Sequence, residues 1–391
     1  MRSFSRAGLG AVTAATMATA TFPLIIASVL AAELIDRFGI ARSQIGLLVT
    51  ATSLVGALAS PFFGRVTDRI GAVAATRNVL ALGMITLTAF ALAPSYGFLV
   101  LAALAAGLPN GWSNPATNSL IVDNVPVGSR GIVTGVKQSG VQFGTFLGGL
   151  LLPVFAGLWD WRLAVLMFLL MPVAGLVGMR GRANPTEHEV RAESAHVAIP
   201  TAVKWIAVYG TLSGLAISAL FWFLPLFAEE NQRWSPRAAG SLVAVVGLSG
   251  IAARILWPAA SERRIGHGRT LRILAVMSTV TAVLLGLAAL GVLESWVLIP
   301  AAVLLGGGAI AWNSVGMLAV MDFSPPSLVG KGTGVVLLGF LLGMASGAPL
   351  MGLSVDTLGS YVPGWLASAG LLTAGAVIAG RIPGSGTLAE S

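Results

Sequence analysis

Residues 130–149 read RGIVTGVKQSGVQFGTFLGG, and residues 329–348 read VGKGTGVVLLGFLLGMASGA. At an offset of 199, Gly135, Gly140, Gly144 and Gly148 fall on Gly334, Gly339, Gly343 and Gly347. Related turns precede both stretches, Asp123-x-x-Pro126 and Asp322-x-x-Pro325, and Arg130-Gly131-x-x-Thr134-Gly135 parallels Lys331-Gly332-Thr333-Gly334. Upstream, Gly111-Trp112 parallels Ala311-Trp312. A second register, at an offset of 194, pairs Gly46, Leu48-Val49 and Gly56 with Gly240, Leu242-Val243 and Gly250. The chain is therefore a duplicated unit. A helical stripe of small residues lets two backbones approach closely inside a bilayer.

The surrounding composition places the repeat in a membrane. Of 391 residues, 56% are hydrophobic and 10% charged, and the mean hydropathy is +0.87; a soluble chain carries about a quarter charged residues. Crossing a bilayer as a helix takes about 20 apolar residues. Twelve such spans are predicted: 9–32, 45–64, 77–94, 97–121, 130–157, 162–180, 204–228, 238–261, 270–291, 295–321, 330–355 and 361–381. The first is long and is followed at once by another, so it is expected to remain as a membrane helix, not to be cleaved as a signal. The one polar stretch, RGRANPTEHEVRAESAHVAIP over 181–203, bisects the series. The expected fold is all-α and polytopic: twelve transmembrane helices in two pseudo-symmetric six-helix bundles, 1–180 and 204–391, joined by the linker 181–203. Duplicated helical halves are a transporter signature, with substrate bound near the midplane.

Charge distribution orients the chain. Of 23 Lys and Arg, five (Arg37, Arg42, Arg162, Arg233 and Arg237) fall in one set of alternate loops, two lie inside spans, and the other sixteen fall in the opposite set. The positive-inside rule puts both termini and the linker in the cytoplasm. The net charge of +8 is explained by topology and requires no nucleic-acid partner. Arginine outnumbers lysine 20 to 3, which is associated with a GC-rich bacterial source, and the cytoplasmic membrane of such a cell is the expected location. Tyr96, Trp159, Trp161, Trp234, Trp296, Tyr361 and Trp365 fall near span ends, as interfacial anchors do. No cysteine is present, which excludes thiol chemistry and thiolate metal sites. His188, His196 and His267 are expected in solvated loops, and no metal, cofactor, nucleotide loop or Ser/His/Asp set is read, so an enzyme is not expected.

Two cations sit where a bilayer tolerates them least. Lys137 lies seven residues from Arg130 and Arg254 eight from Glu262, roughly 10 and 12 Å into their helices at ~1.5 Å per residue. A charge at that depth costs several kcal/mol unless it meets a partner, water or ligand. No Asp or Glu interrupts the middle of a span. The repeat serves as a control: Lys137 aligns with Val336 and Arg254 with Ser60, so the shared scaffold needs neither. Other polar groups inside spans complete the candidate substrate contacts: Asn110, Asn114, Asn118, Gln138, Tyr209 and Asn313, with Trp112 and Trp312 as walls. Thr13, Thr16, Gln142 and Ser213 are further candidates. Asn114 and Asn118, four apart, share a helix face.

Gly64-Arg65-Val66-Thr67-Asp68-Arg69-Ile70-Gly71 resembles the loop 2–3 signature of the major facilitator superfamily, G-x-L-x-D-R-x-G-R-[KR], with Gly64, Asp68, Arg69 and Gly71 in register and the trailing basic positions replaced by Ala72 and Val73. A degenerate copy, Ser261-Glu262-Arg263-Arg264-Ile265-Gly266, occupies the matching loop of the second half. The resemblance covers the whole chain. It implies that Asp68 meets the start of the eleventh helix around Gly330-Lys331-Gly332 and that Gly64, Asp68, Arg69 and Gly71 form a conformational-switch motif. Proton-driven drug exporters of the family carry an arginine in the fourth helix, absent here, and a proline where Thr145 stands. Gly250-Ile-Ala-Ala-Arg254 is similar instead to the carboxylate-binding helix of its monocarboxylate and oxalate branches.

These readings converge on a secondary active transporter for a small organic anion, a carboxylate, held by Arg254 and Lys137, with the resemblance implying that both line one central cavity. The competing reading is a carrier or exporter of neutral or hydrophobic compounds in which the cations are structural. The expected partners are the anionic substrate, membrane lipid and either a coupling proton or an exchanged anion, and a monomer is expected. For that proton, Glu33, Asp36, Glu229 and Glu230 stand at the outer mouth.

Overall fold

The computed structural model describes residues 4–126, 130–182, 199–324 and 329–383. The larger part of the expected linker, residues 183–198, including His188 and His196, lies outside them. The described residues are helical, with no strand among them.

Among the described residues, eleven helical stretches are long and apolar enough to cross a membrane: Arg6–Val29, Arg42–Ile70, Ala72–Ala91, Val133–Leu158, Trp161–Gly178, Thr201–Glu230, Pro236–Ile265, His267–Ala289, Ser295–Phe323, Gly332–Leu358 and Val362–Ala379. The remaining expected span, the fourth, is an unbroken helix of 29 residues, Tyr96–Asn124. Pro109, Pro115, Asn110, Asn114 and Asn118 lower its apolarity without breaking it. Two spans are interrupted. The sixth turns at residues 168–169, between Trp161–Met167 and Leu170–Gly178. The tenth tightens to a 3-10 turn, Ala309–Ala311, after Gly306-Gly307-Gly308. Side chains such as Leu58, Leu101, Leu170, Leu256 and Val377 are exposed. In water such a surface would aggregate; in lipid it is the solvated state.

The chain divides into two units, Met1–Ile40 with Leu47–Arg191, and Ala41–Gly46 with Ala192–Ser391. The second span thus begins in the second unit and continues in the first. In the first unit the fifth span lies on the first, and in the second unit the eleventh lies on the seventh. The repeated glycines make both contacts. A Cβ on Gly140 would strike the backbone of Ala14, and one on Gly144 would reach within 3.2 Å of Ala18. A Cβ on Gly343 would strike the backbone between Thr211 and Leu215, and one on Gly347 that of Leu215. Gly135 and its twin Gly334 have nothing within 4 Å. The repeat therefore reproduces both the crowded and the empty positions.

The loops after the second and eighth spans show where the halves diverge. Gly71 and Gly266 each start the next helix at a positive φ, 85° and 83°, a region that side chains other than glycine rarely enter. The Gly71 N–H donates to Thr67 O, four residues back, whereas the Gly266 N–H donates to Ser261 O, five back. Ser261–Ile265 is a π turn. One inserted residue explains why the repeat offset is 194 at Gly56 and 195 at Gly71.

The aromatic belt is corrected in part. Trp159 and Trp296 are exposed near span ends as expected, but Trp161, Tyr361 and Trp365 are buried. Trp161 packs edge-on against Phe38, and Tyr361 and Trp365 stack beside Phe227. Large rings at helix ends gain more from intramolecular burial when a partner ring is in reach.

Gly140→Leu is expected to lose more than about 2 kcal/mol, because backbone cannot retreat from the new side chain. Gly135→Ala should be neutral or slightly stabilising. Thermal unfolding of the purified variants, followed by size-exclusion monodispersity, checks the contrast.

Candidate functional site

Lys137 projects from the fifth span of the first unit and is 0% exposed. Its Nζ donates to Asn114 Oδ1 at 2.9 Å and to Asn118 Oδ1 at 2.6 Å, both on the fourth span. The four-residue spacing of the two asparagines puts their amides one above the other, so a single ammonium reaches both. A lysine ammonium only donates, which fixes both amides with oxygen toward Lys137 and NH2 turned away. Asn114 is half-buried and Asn118 exposed. Among the described residues no carboxylate lies within ion-pair distance of Lys137; the ion pairs formed join Arg42 to Glu230 and Asp356, and His267 to Asp322. The amide dipoles satisfy hydrogen bonds without cancelling the charge, and a buried uncompensated charge is costly.

Arg254 is half-buried in the eighth span of the second unit. One turn on, Trp257 donates through Nε1–H to Gly307 O at 2.8 Å, pinning this helix to the interrupted tenth span. Asn313, half-buried, follows that interruption. Gln138 is half-buried beside Lys137 in sequence.

The other expected contacts are engaged in packing. Tyr209 is buried and donates from its hydroxyl to Leu271 O at 3.0 Å, with its ring against Trp312. Trp312 is buried between Tyr209 and Phe340. Trp112 stacks on Phe63 at 4.3 Å and donates through Nε1–H to Thr67 Oγ1 at 2.8 Å. Asn110 donates to Ala20 O at 3.3 Å. The Thr13 and Thr16 hydroxyls return to carbonyls of their own helix.

Within the glycine-framed motif, Asp68 and Arg69 are exposed while Thr67 is buried under Trp112. Trp112 therefore anchors the turn from which Asp68 and Arg69 project. The side chains of residues 330–331, where Asp68 is expected to dock, lie outside those described.

Two polar clusters escaped sequence reading. In the second unit Arg42 Nε pairs with Glu230 Oε2 at 2.8 Å, and the Tyr361 hydroxyl donates to the same oxygen at 2.6 Å. Asp356 accepts from the backbone N–H groups of Arg42 and Ser43 at 3.1 and 2.8 Å. It caps the start of the second span from a distant helix, a role worth about 1 kcal/mol. The second cluster overturns the solvated-loop expectation for His267. This residue is 0% exposed and opens the ninth span, with Nδ1 2.8 Å from Ser261 Oγ and Nε2 2.7 Å from Asp322 Oδ2. Ser261, His267 and Asp322 therefore form a hydrogen-bonded line that the sequence reading did not find, with Ser261 fully buried within it. Polar neighbours on both ring nitrogens make burial of the imidazole affordable.

Repeat-related helical units, each with polar groups set inside membrane spans, define a multi-pass membrane transporter. The chain belongs to the Major Facilitator Superfamily, whose sequence profile matches residues 7–348. A gentisate transporter of Corynebacterium glutamicum is 25% identical over 216 residues, 52% of this chain and 48% of that protein. The chain thus matches about half the length of that relative. An uncharacterised MFS-type transporter of Mycobacterium tuberculosis is 26% identical over 342 residues, 84% of this chain and 74% of that one. The quinolone resistance protein NorA of Staphylococcus aureus is 27% identical over 124 residues, 30% of this chain and 31% of that one. The fold is shared with an inward-facing bacterial homologue of the lysosomal transporter Spinster, at a TM-score of 0.78 and 16% identity over 96% of both chains.

Asn114→Leu is expected to destabilise more than Lys137→Met. The first strips an acceptor from a buried charge and costs about 2 kcal/mol, whereas the second removes the charge itself. Thermal unfolding of both variants and of the double variant tests this; the double variant should recover most of the loss.

Proposed function

We propose that this transporter is a secondary carrier of a small organic anion, a carboxylate, moved by alternating access. The observation that carries the reading is the fully buried Lys137 ammonium, held by two neutral amides with no carboxylate in ion-pair reach among the described residues. With both amide oxygens turned to the ammonium, the NH2 groups of Asn114 and Asn118 are polarised by the charge behind them. They offer donors to an acceptor arriving at the exposed Asn118. Two of the three ammonium protons are used, which leaves one for the ligand. A carboxylate there restores local neutrality and strengthens each of these hydrogen bonds. Arg254, with a planar guanidinium suited to two-point carboxylate binding, is the second proposed contact. The relative named for gentisate, itself a carboxylate, supports this substrate class.

The reading of neutral or hydrophobic cargo also has support: Lys137 already has two acceptors, and the short match to NorA covers part of the chain. Proton-coupled transport or anion exchange, the cytoplasmic membrane of a bacterium and cytoplasmic termini complete the proposal; the arginine-to-lysine ratio of 20 to 3 supports the bacterial location and the sixteen-to-five loop charge split supports the orientation.

Asn118→Asp separates the two readings. It supplies an internal counter-ion, so it should raise thermal stability yet lower carboxylate uptake at least about tenfold, a change of roughly 1.4 kcal/mol. Arg254→Lys should also impair uptake, because the two-point grip is lost. Uptake of a radiolabelled aromatic carboxylate into proteoliposomes is the measurement. Normal carboxylate uptake by both variants would overturn the assigned contacts, and absence of carboxylate uptake by wild type would favour neutral cargo.

A further inference from the structure

The eighth-to-ninth loop, the first turn of the ninth span and the end of the twelfth enclose an open pocket of about 540 Å³ in the second unit. Its wall carries Arg263, Arg264, Arg269 and Arg272 against one carboxylate, Glu262. Arg272 is held in place, its Nε–H donating to Ala376 O at 3.3 Å. The ion pairs formed among the described residues include none of these arginines. Gly268 lets the chain close the pocket, since a Cβ there would strike the backbone of Ile382 and Ala379. The ninth span starts at Gly266 with no side-chain cap, so its first-turn N–H groups add to the positive field.

The repeat and the lipid-facing surface narrow the ligand. In the register set by Gly71 and Gly266, Arg263 stands where the first half has Asp68. The π turn Ser261–Ile265, absent from the first half, carries Arg263 and Arg264. The second copy of this loop thus carries a base beside its acid, Glu262. One turn beyond Arg269 begins an exposed apolar row on the ninth span, Ile273, Val276, Val280 and Val283, with Val377 exposed on the twelfth. Their three- and four-residue spacing puts them on one helix face, which in a membrane protein meets acyl chains. A row of hydrocarbon contacts leading into a basic pocket fits a molecule with an anionic head and an apolar tail.

We propose that this pocket binds the phosphate headgroup of an anionic phospholipid, with its acyl chains along Ile273, Val276 and Val280. The shared chemistry with a soluble phosphate compound is the phosphate–guanidinium contact; the apolar row selects the lipid. The inference is independent of the transported substrate.

Native mass spectrometry of the purified transporter, titrated with phosphatidylglycerol, phosphatidylcholine or inorganic phosphate, tests it. Retention of phosphatidylglycerol over phosphatidylcholine is expected, weakening roughly fivefold for each arginine removed in R263Q, R263Q/R264Q and R263Q/R264Q/R269Q. R65Q/R69Q, which matches the charge loss of R263Q/R264Q but in the first half, should retain the lipid as wild type does. Photo-crosslinking of wild type with a headgroup-labelled phosphatidylglycerol, mapped by peptide sequencing, needs no variant and should mark residues 262–272. Equal retention by the triple variant, displacement of the lipid by millimolar inorganic phosphate, or crosslinks confined elsewhere would overturn the proposal.

Discussion

A lysine ammonium withdrawn from water, in a helix that crosses hydrocarbon, is the constraint around which the first unit is built. Such a charge must be met by dipoles, by a counter-ion or by a ligand. Here the fourth span supplies dipoles only, through Asn114 and Asn118. Of the expected spans, this one alone is not among the helices apolar enough to cross by composition, because its asparagines and prolines displace hydrocarbon side chains. That local weakness is the cost of placing two amides against Lys137. The twin position, Val336, is buried and apolar, which shows that the scaffold closes without a charge there.

The rest of the architecture is the packing that holds this arrangement. Glycines at 140 and 144 allow the fifth span to lie directly on the first, and those at 343 and 347 do the same for the eleventh on the seventh. Lys137 lies one turn before Gly140 and is held toward the fourth span by its hydrogen bonds to Asn114 and Asn118. Outside the glycine stripe the second half has taken a different course. Its loop contains a π turn, a buried His267 bonded to Ser261 and Asp322, and a cluster of arginines at the membrane face.

Much of the fold was legible because its signals are local. Apolar runs gave the spans, the glycine register gave the duplication, and the positive φ at Gly71 and Gly266 matches the glycines that frame the motif. In the site, Lys137, Asn114 and Asn118 were each identifiable as polar groups in hydrocarbon, and the structure brings them together. Tyr209 was read as a substrate contact and Trp112 and Trp312 as cavity walls from the same kind of signal; in the structure Tyr209 donates to a backbone carbonyl, Trp112 to the Thr67 hydroxyl, and Trp312 packs among aromatic rings. A polar or aromatic residue inside a span looks alike in sequence whether its partner is a ligand or a carbonyl. His267 was misread because its Asp322 partner is 55 residues away, and the pairing of Arg42 N–H with Asp356 bridges 314 residues. Such contacts leave no periodicity to detect.

The central claim is that the buried ammonium awaits an anion from outside the protein. Its most direct measurement is ligand-induced stabilisation of purified wild type by aromatic carboxylates, gentisate among them, each paired with its neutral amide. A carboxylate at a hundred times its dissociation constant should stabilise the fold by about 2.7 kcal/mol, while the amide of the same shape leaves it unchanged and Lys137→Gln removes the difference. Equal stabilisation by acid and amide, or an undiminished preference for the acid in Lys137→Gln, would contradict the account.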